Sequence, residues 1–159
     1  MSFDGQRKIP HLEIPLKLLR DTDFMIWLRS AEGNAYLHLY SWIVRSDKVK
    51  SNVGKLIFNN YYKKGILAAR WDLKTIAENL GYSGKSTGYM SRLLTNMEKK
   101  GIIKKHSDKL SRRAIKIYEF GIHCKDPYEH ETLHAFVYFT KLSAENKLAD
   151  FLGGNPPIS

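Results

Sequence analysis

A dense set of cationic and hydrogen-bonding side chains lies in the middle of the chain. Residues 82–116 contain ten lysines and arginines but only two acidic residues, Glu98 and Asp108. Residues 119–159 reverse this balance, with six acidic residues against three lysines. The formal net charge of the whole chain is +10 at pH 7. An excess of positive charge concentrated in one segment favours a polyanionic partner such as a nucleic acid. Binding is favourable because cations that neutralise phosphates release the counterions condensed around them.

Within the basic segment, apolar spacing predicts a helix over residues 86–100. The apolar positions follow the i, i+3, i+4, i+7 pattern of one buried face: Met90, Leu93, Leu94 and Met97. At about 100° per residue, the opposite face comprises Gly88, Arg92, Thr95 and Lys99, flanked by Tyr89, Ser91 and Asn96. A helix with this outer face fits the major groove of B-DNA, which is about 12 Å wide.

Particular side chains suit particular parts of a duplex. Arg92 is the first candidate for a bidentate guanine contact, and Asn96 is a candidate adenine reader. Lys85, Ser86 and Thr87 lie at the predicted helix N-terminus, which favours a phosphate. The full set of predicted DNA-binding residues is Lys85, Ser86, Thr87, Tyr89, Ser91, Arg92, Thr95, Asn96, Lys99, Lys104, Lys105, Lys109, Arg112 and Arg113. The alternative is that these cations are ordinary solvated residues and that Tyr89 packs on the neighbouring hairpin.

The elements around this helix follow from local signals. Residues 66–70 form a predicted strand, and Asp72 is the candidate N-cap of a helix over residues 73–80. That helix buries Leu73, Ile76, Ala77 and Leu80 and ends at Gly81. Residues 81–88 form a turn in which Ser83 or Ser86 caps the next helix. Gly101 ends that helix, and strands 101–107 and 114–122 then flank a polar turn at 108–113.

The order strand, helix, tight turn, helix, strand, basic loop, strand resembles the winged helix-turn-helix family over residues 66–119. The run IAENLGYSGKSTGYMSRLLTNMEKKGIIKKH is similar to the family's pattern, with Ala77 where the two helices cross and Gly81 opening the turn. The resemblance implies that Thr87 and Ser91 face DNA and that MEKKGII leads from the recognition helix into the wing. Some members of the family bind only protein, which is the alternative for this segment.

The flanking regions predict further helices. Asp21, Thr22 and Asp23 are candidate caps of a helix at 21–30, and an X-Pro step precedes it at Pro15. Residues 31–34 (AEGN) predict a turn, followed by helices at 35–46 and 51–65, the second capped by Ser51 and stopped by Gly65. The helical spacing of the N-terminal aromatic residues favours a core or an interface over base stacking: Tyr36, Tyr40, Trp42, Tyr61 and Tyr62. Residues 130–149 predict one helix, although AFVYF is equally typical of a strand.

Two motifs suggest other chemistry. The sequence GKS at 84–86 lacks the Walker pattern's first glycine, because Asn79 occupies that position. HETLH (130–134) matches H-E-x-x-H, in which His130 and His134 would hold zinc and Glu131 would act as general base. His123 and Cys124 offer a separate structural-zinc alternative. Surface histidines are the default interpretation, so we expect no cofactor, no metal and no enzymatic activity.

Composition sets the broad class. With 43% hydrophobic and 26% charged residues, the chain has an ordinary globular balance. The single cysteine excludes an intrachain disulfide and fits a cytoplasmic protein, and no signal peptide or membrane span is expected. The predicted fold is mainly α-helical with a small antiparallel β wing (α+β). A winged helix-turn-helix domain with extra N-terminal helices occupies residues 1–122, and residues 123–159 form a helical or partly disordered extension.

A second, looser resemblance concerns function. The X-Pro segment, the helices through EGNAYLHLY and the following winged helix resemble replication initiators or replisome organisers of plasmids, phages and integrative elements. This implies double-stranded DNA binding in replication initiation, with replication proteins and a second copy of the chain as further candidate partners. A transcriptional regulator of winged-helix type is the alternative, and a zinc hydrolase built on HETLH is a minor one.

Overall fold

The computed structural model describes residues 14–44, 48, 50–70, 72–120 and 135–153. Within these ranges the chain forms eight α-helices and a three-stranded antiparallel sheet, a mixed α+β arrangement. The helices are α1 Leu16–Leu19, α2 Thr22–Leu28, α3 Ala31–Tyr40, α4 Asn52–Asn60, α5 Leu73–Asn79, α6 Thr87–Lys99, α7 Ala135–Ala144 and α8 Leu148–Leu152. The strands are β1 Leu67–Arg70, β2 Lys104–Leu110 and β3 Arg113–Phe120, and a short 3-10 helix spans Tyr62–Lys64.

Side-chain caps begin three of the predicted helices. The carboxylate of Asp21 accepts the backbone N–H of Phe24 at the start of α2. Ser51 accepts from Gly54 at the start of α4, and Asp72 accepts from Thr75 at the start of α5. Each bond satisfies one N–H that has no partner within its helix. These starts are local in origin, which is why the sequence predicts them.

The predicted turn at residues 31–34 is wrong, because α3 begins at Ala31. Ser30 caps the helix by accepting the N–H of Gly33. Gly33 is helical, and a Cβ on it would lie 2.3 Å from the carbonyl oxygen of Trp27. The glycine is therefore there to let α3 pack tightly on the end of α2, not to reverse the chain. The helix also ends at Tyr40, earlier than the predicted boundary at residue 46.

The sheet has the strand order β1-β3-β2, so the last strand in the chain lies in the middle. Leu67 pairs with Phe120 and Lys104 pairs with Glu119, both antiparallel. The predicted polar turn at 108–113 is too long, because residues 108–110 and Arg113 belong to the strands. Only Ser111 and Arg112 connect them. The positive φ of Ser111, 58°, is the sign expected at the first loop position of a type II′ hairpin turn.

The main core joins the N-terminal helices, the α5–α6 pair and the C-terminal helices. Tyr36 and Phe136 are almost fully buried, and their rings pack edge to face at 5.5 Å. Tyr36 also contacts Phe120 of β3 at 5.2 Å. Tyr40 and Tyr61 are buried too, as the spacing predicts, whereas Tyr62 is half-buried and Trp42 is 55% exposed. A second cluster packs α4 on the other side of the sheet, through Ile57, Tyr61, Ala68, Ile115 and Ile117.

Residues 135–144 are helical, so the strand alternative for AFVYF is wrong. The single helix predicted to residue 149 is interrupted as well, because Asn146 has a φ of 61° between α7 and α8. Helix α7 packs against α1, which the sequence does not predict, and α8 packs against α2. The HETLH segment, His123 and Cys124 lie outside the described residues, as do residues 1–13 and 154–159.

Candidate nucleic-acid interface

Helix α6 faces the core with the predicted stripe. Met90, Leu94 and Met97 are 0% exposed and Leu93 is 8% exposed. The opposite side is open: Gly88, Arg92, Asn96 and Lys99 are exposed, and Ser91 and Thr95 are half-buried. Periodicity therefore assigns the two faces correctly. The outer face of α6 offers a guanidinium, an ammonium and a carboxamide to an external ligand.

Two cations, one on α6 and one directly after it, have different environments. A guanidinium nitrogen of Arg92 lies 3.6 Å from the place that a Cβ would take on Gly88, so the side chain covers the glycine one turn back. Lys100, just after α6, instead donates to both carboxylate oxygens of Glu32, at 2.9 and 3.0 Å. Both members of that pair are largely buried, with 22% and 14% of their side chains exposed. Lys100 thus ties α6 to α3, while Arg92 remains available.

The turn before α6 differs in one respect from the prediction. Ser86 occupies the N-cap position, but its side chain makes no cap hydrogen bond. The Ser83 hydroxyl accepts from the N–H of Lys85 within the turn and does not cap α6 either. Gly81, with a φ of +89°, begins the turn. Lys85 is exposed, and Ser86 and Thr87 are half-buried at the helix start.

Tyr89 packs against the turn and not against the hairpin. Its ring lies 5.4 Å from that of Tyr82 in an edge-to-face arrangement, and both rings are about 40% exposed. A side-chain hydrogen bond with Tyr82, together with partial burial, raises the pKa of Tyr89 above its ordinary value. The hydroxyl therefore stays protonated at neutral pH. An aromatic pair thus borders the outer face of α6 at its N-terminal end.

The β2–β3 hairpin carries its cations on two different faces. Directly paired residues share a face, and faces alternate along a strand. The pairs Lys105–Tyr118, Ser107–Lys116 and Lys109–Ala114 therefore point the same way. Lys104 and Arg113 belong to the alternate set, together with His106, Asp108 and Glu119, while Arg112 lies in the turn. Of the predicted hairpin cations, Lys105 is half-buried and the other four are exposed, but they do not form one surface.

The face with Lys105 is the one directed toward α6. The ammonium of Lys105 donates to the hydroxyl of Thr95 at 2.8 Å, and its backbone N–H donates to Glu98 at 2.7 Å. Two bonds thus join the start of β2 to the exposed side of α6. Lys105 consequently acts as a bridge between the two predicted binding elements and is less free than Lys109.

The opposite face of the hairpin is anchored on α4. The Tyr61 hydroxyl donates to the carboxylate of Asp108 at 2.9 Å, and His106 contacts Glu119 at 2.5 Å. The ring of Tyr61 also packs on that of His106, 5.5 Å away. Burial, followed by the bond to Asp108, raises the pKa of Tyr61 above its ordinary value, so this hydroxyl remains a donor. The hairpin is therefore held from both sides.

A cavity of about 270 Å³ lies between α6 and the hairpin. Its polar lining includes Ser91, Lys105, Ser107, Lys116 and Tyr118, and Leu73 and Leu94 provide apolar wall. The sequence prediction includes Ser91 and Lys105 but misses Lys116, Ser107 and Tyr118. Alternation in AIKIYEF would have placed Lys116 and Tyr118 on one face. Only the pairing register, however, brings them opposite Ser107 and Lys105.

The acidic C-terminal segment, residues 119–159, leaves this surface open wherever the structure describes it. Helices α7 and α8 contact α1 and α2, while α6 packs chiefly on α5 and α3. Ala149 and Leu152 approach Leu93 and Lys100 in a groove at the back of α6. Within the described ranges, the side of α6 that carries Arg92 and Lys99 has no such cover.

Comparison of the chain with protein-family models, with curated protein sequences and with solved structures finds no match. None of the helices in the described ranges is both long enough and apolar enough to cross a lipid bilayer. In the same ranges, no three His, Cys, Asp or Glu side chains are grouped so as to hold a metal ion. The site therefore has to be interpreted from its own geometry.

Proposed function

We propose that this chain binds double-stranded DNA as a winged helix-turn-helix protein, with α6 in the major groove and the β2–β3 hairpin against the backbone. The element order β1, α5, α6, β2, β3, with β3 between β1 and β2, supports this proposal. It is the order typical of the family that residues 66–119 resemble. The proposal rests on one observation above all: the exposed face of α6 carries Arg92, Asn96 and Lys99 beside a basic hairpin.

The dimensions and chemistry of α6 suit a major groove. An α-helix with its side chains is about 10–12 Å across, and the groove is about 12 Å wide. Arg92 can offer two parallel N–H donors to a guanine, and Asn96 can pair with an adenine edge. Lys85 and Lys99 lie before and at the end of the helix, where phosphates flank the groove. Base reading would thus come from the middle of α6 and positioning from its ends.

The hairpin adds a sequence-independent contribution. Lys105, Lys109 and Lys116 project from one face, and Arg112 lies at the tip. Neighbouring like charges repel one another, and an anionic backbone beside them relieves that repulsion. Because α4 and α6 already fix the hairpin, little conformational entropy is lost when it meets DNA. This arrangement favours tight electrostatic positioning of α6.

For the biological role we propose replication initiation on a plasmid, phage or other mobile element, with transcriptional regulation as the alternative. The first rests on the resemblance of the N-terminal helices, including EGNAYLHLY at 32–40, to replication initiators. Most of this segment forms α3, which packs on α6 and carries the Glu32 that holds Lys100. One of the N-terminal helices, α3, is therefore in direct contact with the proposed reading helix.

The decisive experiment compares binding to duplexes tiled across the genetic element that encodes the chain with binding to random duplexes of equal length. Measurements at two salt concentrations separate electrostatic from specific affinity. Repeats within an origin support initiation, whereas a single promoter operator supports regulation. Equal, negligible binding to every duplex would overturn the proposal. Stoichiometric zinc that is lost on His130→Ala would instead revive the hydrolase alternative.

A further inference from the structure

The cavity between α6 and the hairpin has the lining of an anion site. Lys105 and Lys116 both border it, and neither forms an ion pair within the described part of the chain. The hydroxyls of Ser91 and Ser107 border it as well. Two ammonium groups and several hydroxyl donors around one space favour a ligand with a concentrated negative charge and several acceptor oxygens.

Tyr118 provides an independent observation. The residue is only 2% exposed and it borders the cavity, yet its hydroxyl has no hydrogen-bond partner among the described residues. The hydroxyl oxygen is not among the fully buried side-chain atoms without a partner, so this donor reaches the open space of the cavity. Burial, followed by the charges of Asp72 and Glu98, raises the pKa of Tyr118 to about 12, so the group is a donor at neutral pH. An acceptor in the cavity would satisfy it.

The two nearby carboxylates do not fill this role. Asp72 accepts from the N–H and the hydroxyl of Thr75, both at 2.8 Å. Glu98 accepts from the backbone N–H of Lys105. Within the described residues neither carboxylate accepts a hydrogen bond from the Tyr118 hydroxyl, so this donor remains for a ligand.

The size of the cavity limits the ligand. Pockets that hold drug-sized molecules usually measure about 300–1,000 Å³, and this one measures about 270 Å³. We propose that the cavity between α6 and the hairpin binds a single phosphate group through Lys105, Lys116, Ser91, Ser107 and Tyr118. The group is either one phosphodiester of a DNA backbone or a free phosphate ion. The first source depends on the proposed function, and the second does not.

The test is a titration of the full chain with inorganic phosphate, followed by the NMR shifts of the hairpin and α6 amides at constant ionic strength in chloride. We expect saturable shifts centred on Ser91, Ser107 and Tyr118. Lys116→Gln should weaken binding at least tenfold. Lys55→Gln is the control, since Lys55 is an exposed lysine on α4 that does not border the cavity, and it should leave phosphate binding unchanged.

Tyr118→Phe removes only the hydroxyl of Tyr118 and keeps its ring. Because that hydroxyl has no protein partner, its removal should leave the unfolding transition unchanged and weaken phosphate binding severalfold. Non-saturable shifts in the wild-type protein would overturn the proposal, and so would equal losses in the Lys116 and Lys55 variants. Unchanged phosphate affinity in Tyr118→Phe would overturn the role of this hydroxyl.

A competition arm identifies the source of the phosphate. If a DNA phosphodiester occupies the cavity, inorganic phosphate will displace duplex DNA more strongly than chloride does at equal ionic strength. If the ligand is free phosphate, DNA affinity will not respond beyond the chloride effect. Saturable phosphate binding by a protein that binds no DNA would support the cavity and reject the proposed function. DNA binding by a protein that does not bind phosphate would support the proposed function and reject the phosphate site in the cavity.

Discussion

The ammonium of Lys105 donates a hydrogen bond of 2.8 Å to the hydroxyl of Thr95. This bond joins the beginning of strand β2 to helix α6. Thr95 is four residues from Ser91, so the two side chains lie on adjacent turns of the same face. Lys105 therefore spans the entrance of the cavity that Ser91 borders. Helix α6 and the hairpin are thus joined to each other by side-chain and backbone hydrogen bonds.

Removal of Arg92 and Arg112 tests the proposed binding face. We expect Arg92→Ala combined with Arg112→Ala to weaken duplex binding and to lower the slope of log affinity against log salt by roughly 1 to 2. A bidentate guanine contact would make the Arg92 change alone worth about 1–3 kcal/mol. Fluorescence anisotropy with a labelled duplex over a salt series measures both quantities.

Lys141→Ala is the control for that experiment, because Lys141 is an exposed cation on α7, away from the hairpin. It removes a positive charge without touching the proposed face. If its effect on affinity and slope equals that of the double variant, the binding is unspecific attraction to net charge. Unchanged affinity in the double variant would reject the face assignment itself.

The buried stripe of α6 gives a stability prediction. Met97 is 0% exposed, and its truncation leaves a cavity in the main core. Met97→Ala should lower the free energy of unfolding by about 2–5 kcal/mol. Asn96→Ala, one position away on the exposed side, should stay within about 0.5 kcal/mol of wild type. Urea denaturation followed by circular dichroism measures both, and a reversed order would mean that the helix faces the other way.

The anchor of the hairpin on α4 predicts a different response. Tyr61→Phe removes the donor to Asp108 and should lower the free energy of unfolding by about 1–3 kcal/mol. Amide hydrogen exchange should accelerate most in β2 and β3, because the hairpin loses one of its two attachments. Tyr62→Phe is the matched control, since the structure assigns no hydrogen bond to the hydroxyl of this half-buried neighbour. Equal exchange rates in the two variants would show that the Tyr61 bond does not hold the hairpin.

Asp72 predicts a pH dependence. Its bonds to the backbone N–H and hydroxyl of Thr75 lower the pKa of its carboxyl below the ordinary value, despite an opposing effect of burial. The unfolded chain thus takes up this proton at a higher pH than the folded chain. The contribution to stability is complete above the unfolded-state pKa, near pH 4, and disappears as the pH falls through the folded-state pKa.

Asp72→Ala should accordingly cost stability at neutral pH, by about 1 kcal/mol for a lost N-cap. The difference from wild type should shrink in acid. Thermal unfolding at pH 7 and at about pH 3 provides the comparison. A difference that is constant over this range would mean that the charge on Asp72 contributes nothing.

The sequence predicts those features that are encoded by neighbouring residues. The caps at Asp21, Ser51 and Asp72 need only a side chain and an N–H three residues on. The inward stripe of α6 needs only helical periodicity. Gly33 leads to a wrong prediction because glycine usually marks a turn. Here a glycine is required by a tertiary contact, namely the close approach of the Trp27 carbonyl oxygen.

The site is predictable in part for the same reason. Arg92, Asn96 and Lys99 follow from the helix alone. Lys116 and Tyr118 join Ser107 and Lys105 only through the register of two strands, which the overlong predicted turn would have shifted. The register is difficult to predict because the two-residue turn lacks the glycine or asparagine that usually marks one. Ser111 adopts the positive φ at this position instead.

Strand β2 lies at the edge of the sheet, so one row of its backbone N–H and C=O groups is not paired by the sheet. Such an edge can recruit a strand from another molecule and start aggregation. Lys104, Lys105 and Lys109 lie along this edge, and a second copy would bring the same charges against them. The repulsion between these lysines opposes edge-to-edge pairing of strand β2 with the same strand of an identical molecule.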